Sequence, residues 1–499
     1  MKILEYILEK KIFYLIIGFI FSIISIGRFN FTLSIFIWPY CFLAYLHQNE
    51  KKVIPLIIVS ACLLVSNIIR WIGIDNTSVL TSLVVGIYFS IINIIPYIID
   101  DILYNKITKW ASVFIFPLLV PFIEYVFAFV PIANQNIYAY GIRNNIQIIQ
   151  ICSLFGCYFL SFIIALFASI VDYSYNLFTK EKIISKFIYI YTIIILIIIG
   201  FGSIRLLIPQ KEERFNIAAV LGSSPCLYEE GKESKLPIDT YMDYIQKTII
   251  KANNSEAKVI LYSEEGFSIK GNERNDIISK TAKLAEKYNI FVVLTLDIEY
   301  EKDDCKNEAI LISNKGYVLY YYQKKNLIPI MESEYHSNNS EYKTFYTEFG
   351  QLGIVICYDI DFPYYLNQLS RLGLDTLLIP SWDWDGITEP HSTELKFRAI
   401  ENGFTIILIN TMKSTANGIT LSNDYKGRFL AYYQPSKCED YFVLSSVYKK
   451  GTKTLYSYIG IFFNYLYLVA FIILAIIGRY KMIKESNELE IGKLILQEE

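Results

Sequence analysis

The sequence predicts a bundle of about eight membrane-spanning helices joined to an α/β domain. Of its 499 residues, 54% are hydrophobic and only 19% are charged, and the mean hydropathy is +0.36. Long apolar segments occupy residues 1–208 and recur from residue 456, whereas residues 209–455 are polar and alternate short β-rich runs with amphipathic stretches. A composition this apolar excludes an ordinary soluble enzyme and an intrinsically disordered chain.

Segments of about 18 to 25 residues with few charges are typical of helices that span a bilayer. The sequence has seven such segments before the polar block and one after it, at residues 12–26, 31–46, 53–74, 79–103, 110–132, 146–177, 184–208 and 456–477. We therefore expect a membrane domain at residues 1–208, a separate polar domain at 209–455, and a final transmembrane helix with a cytoplasmic tail at 456–499.

Basic residues predict the orientation of these helices. They cluster before the first span, in every second connection and after the eighth span: Lys2, Lys10, Lys11, Lys51, Lys52, Lys106, Lys109, Lys180, Lys182, Lys186, Arg479, Lys481 and Lys484. Lys and Arg accumulate on the cytoplasmic side of membrane proteins. Because seven spans follow a cytoplasmic start, residues 209–455 are predicted to be extracytoplasmic.

The polar block is predicted to form one layered α/β domain with a substantial core. Runs rich in β-branched and aromatic residues predict strands at 215–221, 258–263, 291–296, 308–313, 317–322, 353–357, 376–380, 405–410 and 442–446. Amphipathic periodicity predicts helices at 240–251, 275–287, 363–372 and 392–400. Strands punctuated by helices favour an α/β fold over an all-β sandwich.

The charge balance and the small numbers of histidine and cysteine residues exclude further classes of function and site. A balance of 46 basic against 48 acidic residues gives no electrostatic signature of nucleic-acid binding. Three histidines leave little room for a His-based metal site or a Ser-His-Asp relay, so we expect no metal and no cofactor. Among Cys226, Cys305 and Cys438, two are candidates for a disulfide in an oxidising compartment, and their pairing stays open.

Ionisable residues follow three predicted strands at their carboxyl ends. Glu264 and Glu265 follow one, Lys324 and Lys325 another, and Cys357 closes the third. Together they offer what acyl transfer through a thioester requires: a nucleophile, a base and a cation. A thiol with an ordinary pKa is mostly protonated, so a partly desolvated glutamate must take its proton. A fixed ammonium stabilises the oxyanion of the tetrahedral intermediate. On this argument either glutamate can be the base.

The order Glu264, Lys324, Cys357 resembles the catalytic triad of the nitrilase (carbon–nitrogen hydrolase) superfamily. The segment CYDIDFP from Cys357 resembles the nucleophile elbow of that superfamily, and RAIENG from Arg398 resembles its following helix. The resemblance implies an αββα sandwich. A domain of this kind, placed between seven spans and a last one, is similar to the apolipoprotein N-acyltransferase family. The segment YQKKNLIPIMESE resembles the lysine segment of that family.

The resemblance implies a ping-pong reaction in which Cys357 takes an acyl chain from a membrane phospholipid as a thioester. The α-amino group of a lipoprotein's diacylglyceryl-cysteine then attacks and is N-acylated. In this scheme Glu264 is the base, Lys324 and the Tyr358 backbone N–H hold the oxyanion, and Glu332 positions Lys324. The position of the base in the resembled motif thus corresponds to Glu264 and not to Glu265. The implied setting is a multi-pass, monomeric protein of the bacterial inner membrane with its catalytic domain extracytoplasmic.

The sequence departs from the acyltransferase pattern at three places. The family has Trp-Pro-Glu where this chain has Tyr262-Ser263-Glu264, and Cys-Tyr-Glu where Asp359 stands here. It has Phe-Gly-Glu after the lysine where this chain has Ile330-Met331-Glu332. Cys-Tyr-Asp is commoner in soluble nitrilase-type amidases. The alternative is therefore a membrane-tethered amidase that hydrolyses an extracytoplasmic amide. The two differ in whether an amine or water resolves the thioester.

Other residues are expected to support the site. Four residues follow a strand and are candidates for a wall of the substrate pocket: Trp382, Asp383, Trp384 and Asp385. His391 is expected at the surface near a helix start, and Arg398 with Glu401 is expected to form an internal ion pair. The loop at 334–349 is either a mobile lid or a solvated insertion.

Overall fold

A computed structural model describes residues 11–27, 29–50, 52–71, 79–130, 132, 135–210, 213–221, 236–301, 304–329, 331–338, 341–383, 385–411, 418–434 and 442–498. The chain divides into two compact units. The helical unit comprises Met1–Ala128, Asn134–Leu207 and Ile459–Glu499, and the α/β unit comprises Phe129–Ala133 and Ile208–Tyr458.

The helical unit is built from apolar helices at nearly all the predicted positions. They are α1 (Lys11–Ile23), α2 (Ser34–His47), α3 (Val53–Trp71), α4 (Val79–Leu103), α5 (Lys109–Ser112), α6 (Ile115–Phe127), α7 (Ile146–Ile149), α8 (Cys152–Phe155), α9 (Cys157–Glu181) and α10 (Lys186–Leu207). The last helix, α15 (Leu455–Glu498), starts in the α/β unit and continues into the helical unit.

Six helical segments among the described residues are long and apolar enough to cross a membrane, judged by length and composition. The first two predicted spans are shorter helices of 13 and 14 residues. The predicted span at 146–177 is broken, because Gly156 adopts a left-handed φ of 79° between α8 and α9. A single residue with positive φ ends one helix and lets the next begin in a new direction.

The α/β unit alternates strands and helices as the sequence predicts. Its strands are β1 (Arg214–Val220), β2 (Ala257–Tyr262), β3 (Phe267–Lys270), β4 (Phe291–Glu301), β5 (Asp304–Ile312), β6 (Val318–Gln323), β7 (Phe345–Thr347), β8 (Gly350–Ile354), β9 (Thr376–Ser381), β10 (Thr405–Asn410), β11 (Thr420–Asn423), β12 (Phe429–Tyr433) and β13 (Phe442–Tyr448). Its helices before α15 are α11 (Ile238–Asn254), α12 (Arg274–Tyr288), α13 (Pro363–Arg371) and α14 (Asp385–Asn402).

The described strands form two sheets. The first has the order β13-β1-β2-β4-β5-β6, with β3 also paired to β4, and the second has the order β12-β11-β10-β9-β8-β7. Strands β1, β2 and β4 run parallel, and β6 returns to the same direction after two antiparallel pairings. Strands β8, β9 and β10 are also parallel. The carboxyl ends of β2, β4 and β6 therefore meet at one edge of the first sheet.

Both faces of the first sheet are buried, which explains why its central strands are apolar throughout. In β1, Ile217 and Ala219 face the core that is shared with the second sheet, whereas Ala218 and Val220 face α11 and α12. Successive side chains of a strand alternate between faces. On the second sheet, α13 and α14 contribute Leu366 and Leu395 to the core. The layers are helix, sheet, sheet, helix, so the predicted layered α/β architecture is confirmed.

Gly403 closes α14 and carries our first prediction. Its φ is 77°, and a Cβ there would lie 1.9 Å from the carbonyl oxygen of Thr452. Gly403→Ala is expected to lower the free energy of unfolding by about 2–4 kcal/mol, because the left-handed conformation is strained and the two backbones must separate. The thermal unfolding midpoint of detergent-purified protein measures this. Gly200→Ala is the control, since a Cβ there meets nothing within 4 Å; equal midpoints would contradict the expectation.

Candidate active site

Three strand ends carry the predicted site. Glu264 follows β2 after Ser263, whose N–H donates to the Val220 carbonyl and so extends the sheet by one residue. Lys324 directly follows β6, and its N–H donates to the carbonyl of Asn307 on β5. Because β2 and β6 run in the same direction, both side chains lie at one edge of the first sheet.

Lys324 lies between two carboxylates. Its Nζ donates to Glu264 Oε1 at 2.9 Å and to Glu332 Oε1 at 2.5 Å. Asn307 Nδ2 donates to Glu264 Oε1 at 2.7 Å. Glu332 is held in turn, because its Oε2 accepts from the Ile328 N–H at 2.7 Å. The lysine and Glu264 are almost fully buried, with side chains 1% and 2% exposed. The structure thus brings Glu264, Lys324 and Glu332 together.

Cys357 stands at a sharp bend in the second sheet. It follows β8 after two extended residues and starts a short 3₁₀ turn, Cys357–Asp361. Its φ is 46°, a left-handed conformation in a residue that is not glycine. Such strain in a non-glycine residue is typical of functional sites. The Sγ atom is buried, and its thiol donates to Asp383 Oδ1 at 3.9 Å.

The charges around this thiol favour its neutral form. Burial and the nearby Glu264 carboxylate raise the pKa of Cys357 well above its ordinary value, although the Lys324 ammonium opposes the change. Burial also raises the pKa of Glu264 against the influence of Lys324. A carboxylate with a raised pKa is a stronger base than an ordinary one. Glu264 is therefore suited to take a proton that a buried thiol does not release unaided.

Lys324 stays charged in this setting. Burial alone would lower the pKa of Lys324, but the Glu264 carboxylate, the Cys357 sulfur and Glu332 together raise it well above its ordinary value. The site therefore contains a fixed ammonium next to the sulfur. An ammonium held in this way can stabilise an oxyanion without rearranging during the reaction.

Asp359 connects the nucleophile turn to the lysine segment. Its Oδ2 accepts from the Tyr322 hydroxyl at 2.6 Å and from the Ile356 N–H at 3.1 Å. Its Oδ1 accepts from both the N–H and the Nδ2 of Asn326, at 2.9 and 2.8 Å. The carboxylate is fully buried. The residue at which the sequence departs from the acyltransferase pattern therefore supports the geometry of the site.

Asp359→Ala is expected to destabilise the α/β unit by about 3 kcal/mol or more. Four donors would lose a buried acceptor, and an unsatisfied buried polar group costs about 1–3 kcal/mol. The unfolding midpoint of purified protein measures the loss. Asp243→Ala is the matched control, because Asp243 is an exposed aspartate on α11. If both variants unfold at the same temperature, Asp359 does not hold the two segments together.

The remaining predicted residues have varied positions. Tyr358 is buried and its ring contacts Phe362 at 5.4 Å between centroids. Trp382 is half-buried directly after β9, and Trp384 lies outside the described residues. Glu265, the alternative base, adopts a φ of 51°. Burial and the Asp297 carboxylate raise its pKa well above the ordinary value.

Two polar residues are buried near the Cys357 sulfur. Asp383 follows its strand on the face where the sequence predicted it, whereas the expectation that His391 lies at the surface was wrong. His391 lies inside α14 because that helix begins at Asp385, earlier than predicted. Two features of the sequence could have indicated a role for His391: histidine is rare in this chain, and Asp383 precedes His391 by eight residues. The Arg398–Glu401 ion pair is confirmed, with Nη1 and Oε2 separated by 2.8 Å.

Three further features concern metal ligands, the polar-block cysteines and the segment at 334–349. Within these ranges no group of three or more His, Cys, Asp or Glu could hold a metal ion. Cys226 and Cys438 lie outside the described residues, and Cys305 is half-buried. The segment at 334–349 includes β7. Tyr335 on this segment donates to Asp297 at 3.2 Å, and Tyr342 lies under the Lys325 ammonium at 3.7 Å.

Part of the chain is similar to several known proteins. Residues 244–439 match the carbon–nitrogen hydrolase family. An (R)-stereoselective amidase of Pseudomonas is 26% identical over 23% of this chain and 42% of its own length. A deaminated glutathione amidase of Synechocystis is 28% identical over 29% of this chain and 61% of its own length. A solved amidase of the nitrilase superfamily from Nesterenkonia is 20% identical and covers 48% of this chain and 93% of its own, with a TM-score of 0.42.

The sequence match thus spans about half the length of these curated relatives. The matched stretch contains Glu264, Lys324, Glu332 and Cys357. Residues 244–439 are therefore similar to the carbon–nitrogen hydrolase family.

Proposed function

We propose that this protein transfers an acyl chain from a membrane phospholipid, through a thioester on Cys357, to the α-amino group of the diacylglyceryl-cysteine of an apolipoprotein. The observation that carries the proposal is the buried Glu264–Lys324–Glu332 network beside the Cys357 sulfur. It occurs in a chain whose described residues include six helical segments long and apolar enough to cross a membrane.

The first half of the reaction forms the thioester. Glu264 takes the thiol proton as Sγ attacks the ester carbonyl of the phospholipid, and Lys324 with the Tyr358 backbone N–H holds the resulting oxyanion. Collapse of the intermediate breaks the ester C–O bond. Glu264 returns its proton to the departing alkoxide, so that a lysophospholipid leaves and the acyl chain stays on the sulfur.

The second half transfers the chain. The acceptor amine attacks the thioester carbonyl, and Glu264 takes a proton from the attacking nitrogen. The C–S bond breaks, the thiolate regains the proton from Glu264, and the N-acylated product leaves. Glu332 acts through Lys324, because its carboxylate fixes the ammonium at 2.5 Å. We place this domain on the extracytoplasmic side of a bacterial inner membrane, in agreement with the positive-inside distribution of Lys and Arg.

The apolar helices on both sides of the α/β unit in the sequence support the proposal of lipid substrates. Apolar helices α10 and α15 flank the α/β unit in sequence, so a domain anchored at both ends works at the surface of a bilayer. A donor and an acceptor that both lie in the lipid plane reach such a domain without leaving the membrane.

A second candidate is hydrolysis of an extracytoplasmic amide by the same residues. The curated relatives reported above are named amidases, and Cys357-Tyr358-Asp359 follows the soluble amidase pattern. In that reaction Cys357 displaces an amine from the amide, and water attacks the thioester. The chemistry up to the thioester is shared, and the second nucleophile separates the two candidates.

Incubation of the purified protein with acyl-labelled phospholipid tests the proposal. A hydroxylamine-sensitive acyl adduct on the peptide that contains Cys357 is expected, together with its transfer to a diacylglyceryl peptide. Cys357→Ala controls for adducts on other cysteines. Release of free fatty acid with no transfer to the peptide would favour hydrolysis, and an adduct that survives Cys357→Ala would reject the proposed nucleophile.

A further inference from the structure

A buried ion pair, Asp383 with His391, lies next to the proposed nucleophile at the second sheet. Asp383 follows β9 and is fully buried, and His391 on α14 is 1% exposed. His391 Nδ1 donates to Asp383 Oδ1 at 2.8 Å. The same Oδ1 accepts from the Cys357 thiol at 3.9 Å and from the Ser381 hydroxyl at 2.8 Å. One carboxylate oxygen thus joins the sulfur to the imidazole.

Asp383 is held rigidly on its other side. Asn410 Nδ2 donates to Asp383 Oδ2 at 2.8 Å, and the Asp383 N–H donates to Asn410 Oδ1 at 2.7 Å. This reciprocal pair fixes the carboxylate to the end of β10. A carboxylate with this many donors and an adjacent imidazolium is strongly favoured in its charged form.

Other charged groups face the pair from each neighbouring element. Asp361, at the end of the nucleophile turn, has its Oδ1 3.6 Å from His391 Nε2. Glu394 and Arg398 lie one and two turns further along α14, and Arg398 pairs with Glu401. Glu264 and Lys324 face the sulfur from the first sheet.

These surroundings set the charges of the pair. Burial would lower the pKa of His391, but Asp383 and Asp361 outweigh it and raise the pKa to about 10. Burial would raise the pKa of Asp383, but His391 outweighs it and the net change is downward. Burial and Asp361 raise the pKa of Glu394 well above its ordinary value.

Two carboxylates therefore face one sulfur, and their basicities differ. Glu264 is the stronger base because its pKa is raised, whereas Asp383 is the weaker one because His391 keeps it ionised. A proton that leaves the thiol moves to Glu264, while Asp383 stays an anion and His391 stays a cation. Without His391, Asp383 would be a second buried acceptor with no adjacent cation.

We propose that Asp383 and His391 are positioning residues. They hold the Cys357 sulfur in place and leave Glu264 as the group that accepts the thiol proton. The inference rests on the proposed role of Cys357 as the nucleophile. Neither residue touches the substrate in this scheme. Asp383 acts on the sulfur, and His391 acts through Asp383.

The test uses two variants of the full-length protein in detergent that should shift thiol reactivity in opposite directions. Asp383→Asn removes an anion beside the sulfur and leaves Asp361 as the carboxylate next to His391, so the thiolate becomes easier to form. His391→Gln removes the cation and leaves Asp383 and Asp361. The readout is the rate of alkylation of the Cys357 peptide by iodoacetamide, followed by mass spectrometry from neutral pH to about pH 9. It requires no substrate.

We expect alkylation about tenfold faster in Asp383→Asn and about tenfold slower in His391→Gln at about pH 9, where one unit of thiol pKa is a tenfold change in thiolate. The double variant removes both charges and should return close to the wild-type rate. Acyl-adduct formation from labelled phospholipid should fall in all three variants, because the sulfur is no longer held.

Ser392→Ala is the matched control on α14, since its hydroxyl bonds to the Glu389 carbonyl and not to the pair. Unfolding midpoints show whether each variant folds. Equal alkylation rates in the two single variants, or shifts in the same direction, would overturn the inference. Opposite shifts in a protein that shows no acyl adduct would support the pair while rejecting the proposed function.

Discussion

Replacing Glu264 by glutamine is expected to slow acylation of Cys357 by a factor of about a hundred to ten thousand, which is the usual contribution of a general base. The substitution preserves the shape of the side chain. The glutamine Oε1 can still accept from Asn307 and from Lys324, whose bonds to Glu264 are 2.7 and 2.9 Å long. The loss therefore reports on the missing base and not on a disrupted network. Adduct formation per unit time, measured by mass spectrometry, gives the factor.

The wild-type rate should depend on pH in a way that this variant does not. Burial raises the pKa of Glu264, so the carboxylate gains a proton at a higher pH than an ordinary glutamate does. Because the base must be ionised to accept the thiol proton, the wild-type rate should fall as the pH drops through that raised pKa. Glu264→Gln has no such group and should lose this acid limb of the profile.

Glu265→Gln is the matched control and also decides the alternative that the sequence leaves open. Glu265 is the adjacent carboxylate, but its partners are Asp297 and Tyr335, whereas Glu264 has Lys324 and acts on the Cys357 sulfur. We expect Glu265→Gln to acylate within a few-fold of wild type. If Glu265→Gln loses the acid limb and Glu264→Gln keeps it, the assignment of the base is wrong.

Much of the fold follows from pattern alone, because long strands that are buried on both faces read as continuous apolar runs. The nine predicted strands correspond to β1, β2, β4, β5, β6, β8, β9, β10 and β13. The strands that were missed, such as β3 and β11, have only four residues each. Such short segments are extended because a neighbouring strand pairs with them. This is tertiary information that a local sequence window does not contain.

The site was predictable where a side chain follows its own strand directly. Glu264 and Lys324 come within two residues of β2 and β6, so parallel strand ends imply that they meet. His391 was missed for a different reason. It meets Asp383 only because α14 starts before His391 and packs against the second sheet, which depends on where a helix begins. Helix starts are the least certain part of a sequence-based assignment.

Lys324→Gln should be as damaging as the loss of the base, for two reasons that act together. The ammonium is the proposed oxyanion donor, and removing one such donor costs about two to three decades in rate. Lys324 also opposes the rise in the pKa of Glu264. Without it, Glu264 and Glu332 lie close together with no cation between them, so Glu264 holds its proton to a higher pH. Below that raised pKa the variant therefore lacks both the oxyanion donor and much of the base.

The pH dependence of the acylation rate distinguishes this double loss from misfolding. The acylation rate of Lys324→Gln should recover in part as the pH is raised, because Glu264 ionises again, and then level off below wild type because the oxyanion donor is still absent. Lys325→Gln is the matched control. That neighbouring ammonium lies over the Tyr342 ring at 3.7 Å and should change acylation by a few-fold at most. A Lys324→Gln profile parallel to wild type at every pH would show that Lys324 does not tune Glu264, and an unchanged rate would remove it from the site.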